Sequence, residues 1–338
     1  MNQAKQPSAL SLQSISFAYP KGASVLRELS LEAQPNALTV LLGPSGCGKT
    51  TCLRLVAGLE RPNRGRIQIG ERLAAGSEAW IPPRGRDVGF CFQEFALWPQ
   101  VRVQDQIALP LRQSKISPQE RQQRVSQLLA QYHIAELADR MPHALSGGQQ
   151  RRVALARALA SQPSVLLLDE PFTSVEARLR ATLLHELRNL RREPCVTLIV
   201  THQREEAFAL ADQLLVMIDG TIERAGSPEV CFRDPQTKPV AQLLGYSIFL
   251  GEEALSIIDG VEAHKDDKLA AWMWDGLAAF PDPEGLAQVR DCWFAAPGYR
   301  VELEAAGSRL SASSLQPIAE GARVSVQAVQ PPVWVIAS

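Results

Sequence analysis

Residues 38–59 limit the fold more than any other stretch of the chain. Leu38–Leu42 is a five-residue apolar run. Gly43-Pro44-Ser45-Gly46-Cys47-Gly48-Lys49-Thr50 is a glycine-rich turn, and Lys49–Leu59 reads as a helix. A buried strand that turns through glycines straight into a helix belongs in an α/β protein with a mostly parallel sheet, the turn lying at the sheet's C-terminal edge. The turn fits G-x-x-x-x-G-K-[ST]. Its glycines let backbone N–H groups face inward around phosphate oxygens, where a Cβ would clash or forbid the dihedrals. The helix directs the positive end of its dipole at the same anion. Lys49 adds a cation there, the Thr50 hydroxyl can ligate Mg²⁺, and Thr51 is expected among the nucleotide contacts.

The rest of the chain keeps this alternation up to about Pro235. Leu10–Tyr19 alternates like a strand, and Val88–Phe92, Val165–Leu168 and Cys195–Val200 are strand-sized apolar runs. Pro118–His133, Gln149–Ala160 and Glu176–Arg192 have helical patterning. Beyond Pro235 the helical periods fade. Short alternating runs replace them, at Gln288–Phe294, Arg300–Glu304, Arg323–Val329 and Val333–Ile336, separated by turn signals. With 338 residues the chain is long for one domain. The expectation is an α/β domain over 1–238 and a smaller β-rich domain over 239–338.

Two further motifs carry chemistry. Val165–Leu168 delivers Asp169 and Glu170 to a sheet edge. Beside a phosphate loop, Asp169 suits an Mg²⁺ site and Glu170 a general base that polarises water. Leu145-Ser146-Gly147-Gly148-Gln149 opens a helix and forms a second anion cradle. Ser146 also suits a plain helix N-cap. One nucleotide does not need two cradles in one chain. The second is therefore expected to serve the γ-phosphate of a nucleotide held by another copy, in a head-to-tail homodimer with two ATP molecules between subunits.

Together these residues resemble the ATP-binding subunit of an ABC transporter, from about Leu10 to Pro235. The resemblance implies a P-loop NTPase core, with a RecA-like sheet and a helical signature subdomain. It assigns Gln93 to the segment that senses Mg²⁺ and the γ-phosphate, His202 to the switch histidine, and Tyr19 to the aromatic that stacks on adenine. The segment Phe92–Gln100 is similar to that of importers, where a membrane permease subunit docks. The C-terminal domain resembles OB-like regulatory domains of importers, with a lean toward the iron(III) or polyamine subgroup. Implied partners are a second copy, integral membrane permease subunits and, indirectly, a solute-binding protein. The implied place is the cytoplasmic face of the inner membrane. Two departures stand out. Thr173-Ser174-Val175-Glu176 replaces the usual Ser-Ala-Leu-Asp, and Gln203-Arg204 replaces the commoner Asp-Gln after the histidine. A soluble ABC-type regulatory ATPase, not coupled to transport, is the alternative.

Bulk properties exclude other classes. No apolar run approaches a membrane span, so a membrane role requires a partner. A net charge of −1 argues against nucleic acid as a partner. Met1–Ser8 lacks the apolar core of a secretory signal, and the six cysteines form no CxxC pair, which suits a reducing compartment. Cys47 lies inside the phosphate loop near a helix N-terminus, a setting that can lower a thiol pKa. It is expected to react with alkylating reagents and to be protected by ATP.

Overall fold

The computed structural model describes residues 9–20, 22–113, 116–172, 177–250, 255–256, 258–259, 261, 269–273, 275–296, 298–305 and 308–336. The chain divides into two units, Met1–Pro228 and Glu229–Ser338. The division falls before residue 238 because the segment following Pro228 bonds to the second unit. Lys238 N donates to Ile336 O at 3.0 Å, and Ile336 N donates to Gln236 O at 2.9 Å.

The first unit contains β1 (Leu10–Ala18), β2 (Ser24–Ala33), β3 (Leu38–Leu42), α1 (Lys49–Ala57), β4 (Arg64–Ile69), β5 (Arg72–Ala75), β6 (Val88–Cys91) and α2 (Val103–Ala108). There follow α3 (Pro118–Gln131), α4 (Gly147–Leu159), β7 (Val165–Asp169), α5 (Ala177–Arg188), β8 (Val196–Thr201), α6 (Arg204–Leu210), β9 (Gln213–Ile218) and β10 (Thr221–Gly226). Six strands form one sheet in the order β10-β9-β3-β8-β7-β6. All its pairs are parallel except β10 with β9. Every residue of β3, β7 and β8 is buried. Continuous apolar runs rather than alternation are what a parallel sheet covered on both faces requires. A separate antiparallel sheet has the order β2-β1-β4-β5. Its inward residues Leu10, Leu12, Ile15, Leu26 and Ile67 share one core with Leu41, Leu53 and Val200.

Helix ends follow the sequence closely. Gly58 closes α1 in the left-handed conformation, which only glycine adopts freely. Ser117 and Glu120 form a reciprocal capping box on α3. The long helix expected over Glu176–Arg192 is α5 followed by a tighter turn at Asn189–Arg192.

From the boundary onward come α7 (Pro228–Arg233) and α8 (Lys238–Leu244). Thus helix persists past Pro235, where it was expected to fade. The strands of the second unit are β11 (Ile248–Leu250), β12 (Ile258–Asp259), β13 (Leu269–Trp272), β14 (Leu277–Pro281), β15 (Ala287–Ala295), β16 (Gly298–Ala305), β17 (Ser308–Ser314), β18 (Arg323–Ala328) and β19 (Val333–Val335). Pairing runs β14-β17-β16-β15-β18 and returns from β18 to β14. Five strands therefore close on themselves, which removes exposed edges. Leu277, Val289, Val301, Leu303, Ala312 and Val324 fill the interior. No helix among the described residues is long and apolar enough to cross a membrane.

Candidate active site

Four adjacent parallel strands end at one sheet edge, in the order β3, β8, β7, β6. The glycine turn leaves β3, His202 follows β8, Asp169 and Glu170 end β7, and Gln93 follows β6. Residues far apart in the chain are thus neighbours because of strand order alone.

Two glycines of the turn have no substitute. A Cβ on Gly43 would lie 2.4 Å from Met217 O and 2.7 Å from Cys47 Sγ. Gly48, the N-cap of α1, has φ of 108°, a conformation that L side chains avoid. Lys49 is buried, and its Nζ donates to the carbonyls of Gly43 and Pro44, both at 2.8 Å. The ammonium is therefore held inside the loop on which a phosphate would rest.

Thr50 Oγ1 donates to Asp169 Oδ1 at 3.1 Å. Burial pushes the Asp169 carboxyl up from its ordinary value, while the Thr50 hydrogen bond and nearby Lys49 pull it down. A hydroxyl and a buried carboxylate in contact are hard oxygen donors, the set that Mg²⁺ takes alongside phosphate oxygens and water. The residues present therefore fit Mg²⁺. Gln93 presents its amide to the same edge.

Glu170 sits beside Asp169 with φ of 43°. A non-glycine residue in this region is strained by about 1–2 kcal/mol, and its N–H is fixed by Val200 O at 3.0 Å. Its carboxylate gathers two predicted residues. His202 Nδ1 lies 3.0 Å from Oε1, and Gln93 Nε2 donates to Oε2 at 3.3 Å. A carboxylate only accepts, so this arrangement places a proton on Nδ1. Glu170 is largely sheltered while His202 is more open, with side chains 17% and 40% exposed.

Tyr19 packs edge-on against Phe17, with ring centroids 4.9 Å apart. Its hydroxyl lies 3.4 Å from Thr51 Oγ1. The ring borders an open depression of about 380 Å³ that Gly46, Cys47 and Asp219 also line. Cys47 departs from expectation. It is 6% exposed, and burial pushes its thiol up despite nearby Lys49. Desolvation of the thiolate outweighs the attraction that a cation and a helix N-terminus supply.

Ser146, Gly147 and Gly148 are exposed at the start of α4. Ser146 and Gln149 form a capping box, at 2.9 Å and 3.4 Å. The cap is thus real, and its hydrogen bonds stay within its own turn. A Cβ on Gly147 would meet nothing within 4 Å. The segment Thr173–Glu176 lies outside the described residues.

Sequence patterns missed one supporting carboxylate. Glu206 is 3% exposed, and the Thr201 hydroxyl donates to it. That hydroxyl accepts from Gln203 N at 3.1 Å, which fixes the turn carrying His202. The residue before Ala207 in an amphipathic stretch looks like any solvated glutamate, so nothing in the sequence marks it.

Comparisons with known proteins point to one family. Residues 26–173 match the family model described as ABC transporter. The trehalose/maltose import ATP-binding protein MalK of Thermococcus litoralis is 42% identical over 241 residues, 70% of this chain and 63% of that protein. The chain thus spans less than two thirds of that relative's length. The Fe(3+) ions import ATP-binding protein FbpC 1 of Rhizobium meliloti is 40% identical over 265 residues, 78% of this chain and 74% of that protein. The spermidine/putrescine import ATP-binding protein PotA of Vibrio cholerae is 39% identical over 277 residues, 78% of this chain and 72% of that protein. Among solved structures, the dimeric post-hydrolysis state of the ATP-binding cassette MJ0796 with ADP and Pi superposes with a TM-score of 0.57 at 28% identity, covering 65% of this chain and 98% of that one.

Proposed function

Because the chain belongs to the ABC transporter family of ATP-binding cassettes, we propose that it is the ATP-hydrolysing subunit of an importer, driven by closure of two copies around two ATP molecules. The observation that carries this is the convergence of Gln93 and His202 on the Glu170 carboxylate. That group lies one residue from the Asp169–Thr50 pair and at the same sheet edge as the phosphate loop.

Each residue then has one task. Backbone N–H groups of Gly43, Pro44, Ser45, Gly46, Cys47 and Gly48 cradle the phosphates. Lys49 leaves the Gly43 and Pro44 carbonyls for phosphate oxygens. Thr50, Asp169 and Gln93 would hold Mg²⁺, which would supply positive charge to neutralise the phosphates. Glu170 accepts a proton from the attacking water as general base. His202, held by Glu170 through Nδ1, presents its other ring nitrogen to the γ-phosphate. Tyr19 stacks on adenine, since a flat π-face suits a base. Ser146, Gly147, Gly148 and Gln149 of the second copy complete the site. ATP favours the closed dimer because only that state makes both sets of contacts.

The closed dimer works on membrane permease subunits, which meet the exposed surface around Trp98, 54% exposed. In this reading the chain sits peripherally at the cytoplasmic face of the membrane, with a solute-binding protein acting indirectly. The cargo is a solute of the kinds its relatives import: a sugar, a polyamine or iron(III). The β-rich domain over 239–338, which contains the closed set of strands β14 to β18, is a regulatory domain.

The test is Mg²⁺-dependent ATP hydrolysis by the purified chain and by Glu170→Gln. Hydrolysis by the wild type and a loss of at least about 100-fold in the variant are expected for a positioned general base. Equal rates in the two chains would remove Glu170 from the chemistry and this proposal with it.

A further inference from the structure

The segment between β6 and α2 holds a conformation that its own residues resist. Phe95 and Ala96 are consecutive non-glycine residues with φ of 60° and 46°, both in the region that L side chains avoid. Two short-range backbone bonds support the turn, from Phe95 N to Phe92 O at 2.9 Å and from Ala96 N to Glu94 O at 2.7 Å. The outward carbonyls are held by a side chain of another helix. Arg157 Nη2 donates to Phe95 O at 2.8 Å, and Nη1 donates to Ala96 O at 2.7 Å.

A second side chain extends the grip. Gln106 of α2 is fully buried. Its Nε2 donates to Trp98 O at 2.8 Å, and its Oε1 accepts from Trp98 N at 3.3 Å and from Arg157 Nη1 at 3.4 Å. The Arg151 guanidinium lies 5.1 Å from the Phe95 ring centroid, a cation–π distance. Arg151 and Arg157 both belong to α4, the helix that Ser146 caps. The helix bearing Gly147 and Gly148 at its exposed start therefore grips, further along, the turn that displays Trp98.

We propose that Arg157 is a positioning residue that fixes the strained turn at 95–98 and so ties α4 rigidly to the Trp98 surface. The geometry needs a planar fork, because two neighbouring carbonyls are bonded at once. An ammonium keeps the charge but not that fork. When the start of α4 engages a nucleotide, the turn moves with the helix instead of yielding. This consequence rests on the proposal that the Trp98 surface meets a membrane subunit, whereas the clamp itself does not.

The test uses the full chain labelled with 5-fluorotryptophan and followed by ¹⁹F NMR. Trp98→Phe assigns the Trp98 resonance among the six tryptophans. Arg157→Lys is expected to move that resonance to the position of a mobile, solvated indole, with the Trp80 resonance unchanged as a folded reference in the same unit. Ala96→Gly added to Arg157→Lys is expected to return it part of the way toward the wild-type position, because glycine relieves one of the two left-handed positions that the clamp holds. A Trp98 resonance unchanged in Arg157→Lys, or one shifted and left there by Ala96→Gly, overturns the proposal. If Arg157→Lys alone does not fold, the double variant is expected to fold with Trp98 part of the way toward its wild-type position, and a double variant that stays unfolded counts against the clamp. All of these readouts are made without any membrane subunit, so failure of the docking proposal would leave them unchanged.

Discussion

Replacing Arg86 with methionine should weaken the first unit by about 3 kcal/mol, and the structure supplies the terms. Arg86 is 7% exposed and makes four hydrogen bonds to carbonyls. Nη1 donates to Leu55 O at 2.6 Å and Val56 O at 2.7 Å, the last turn of α1. Nε donates to Ile81 O at 2.7 Å, and Nη2 donates to Ala74 O at 3.1 Å. One guanidinium thus caps the helix of the phosphate loop and fastens it to β5. Charge-assisted bonds contribute roughly 1.5–3 kcal/mol each, so four give at least about 6 kcal/mol. Burial acts the other way on the charge itself, pushing the Arg86 pKa down to about 10, a cost already contained in those net values. Four bonds that share one guanidinium do not add in full, and Leu55 O also accepts from Gly58 N at 3.1 Å, so the expected loss is about half that sum, about 3 kcal/mol. Urea unfolding measures the loss, read on the transition that Mg-ATP moves to higher urea, since only the nucleotide-binding unit is stabilised by the ligand. Arg86→Lys should recover less than half, because one ammonium cannot reach four carbonyls. A loss under about 1 kcal/mol for Arg86→Met, or full recovery by lysine, would refute this reasoning.

Three further outcomes are expected. Gly147→Ala should leave the melting temperature of the isolated chain unchanged, because its Cβ meets nothing within 4 Å, yet lower hydrolysis at least about 10-fold by crowding the partner's γ-phosphate; a normal rate would remove Gly147 from the site. Asp169→Asn should abolish hydrolysis and raise the melting temperature at pH 7. The folded carboxyl is held above its ordinary pKa by burial, so its stabilising contribution is present at low pH and is lost as pH rises through the folded value; the asparagine advantage should therefore shrink as melts are repeated toward pH 4. Alkylation of Cys47 should be slow at pH 7, accelerate as pH rises and fall when Mg-ATP is added, since its thiol is buried and pushed up; labelling indifferent to Mg-ATP would place Cys47 away from the nucleotide.

The parts legible in the sequence are those with a period or a motif. The strand, turn and helix from Leu38 to Ala57 follow from apolarity, glycine and helix propensity alone, and Gly58 ends the helix slightly earlier than expected. The antiparallel sheet was less visible. Ser24–Ala33 carries Arg27, Glu28 and Glu32 among its leucines, and Arg64–Ile69 interleaves arginine with isoleucine. Half-exposed strands of this kind present charges that read as loop. Residues α8 buries, Val240, Ala241 and Leu244, span too few turns to show a helical period. The site divides the same way. The phosphate loop and Asp169–Glu170 carry their own chemistry, whereas Gln93 and His202 were assigned through the family. Their separations from Glu170 of 77 and 32 residues carry no local signal, and strand order alone unites them. Arg86, Gln106, Arg157 and Glu206 were illegible because a polar residue bonded in the interior has the same letter as one facing water. The error at Cys47 had a physical origin too: position in a loop was weighed, and burial was not.

In the proposed function two copies of this chain close around ATP before hydrolysis reopens them. Light scattering of Glu170→Gln with and without Mg-ATP tests it directly, because this variant retains the cradles and loses the general base. A doubling of mass on adding Mg-ATP, absent when Gly147→Ala is also present, is the predicted result. A Glu170→Gln chain that binds Mg-ATP and stays at the mass of one copy would contradict the account.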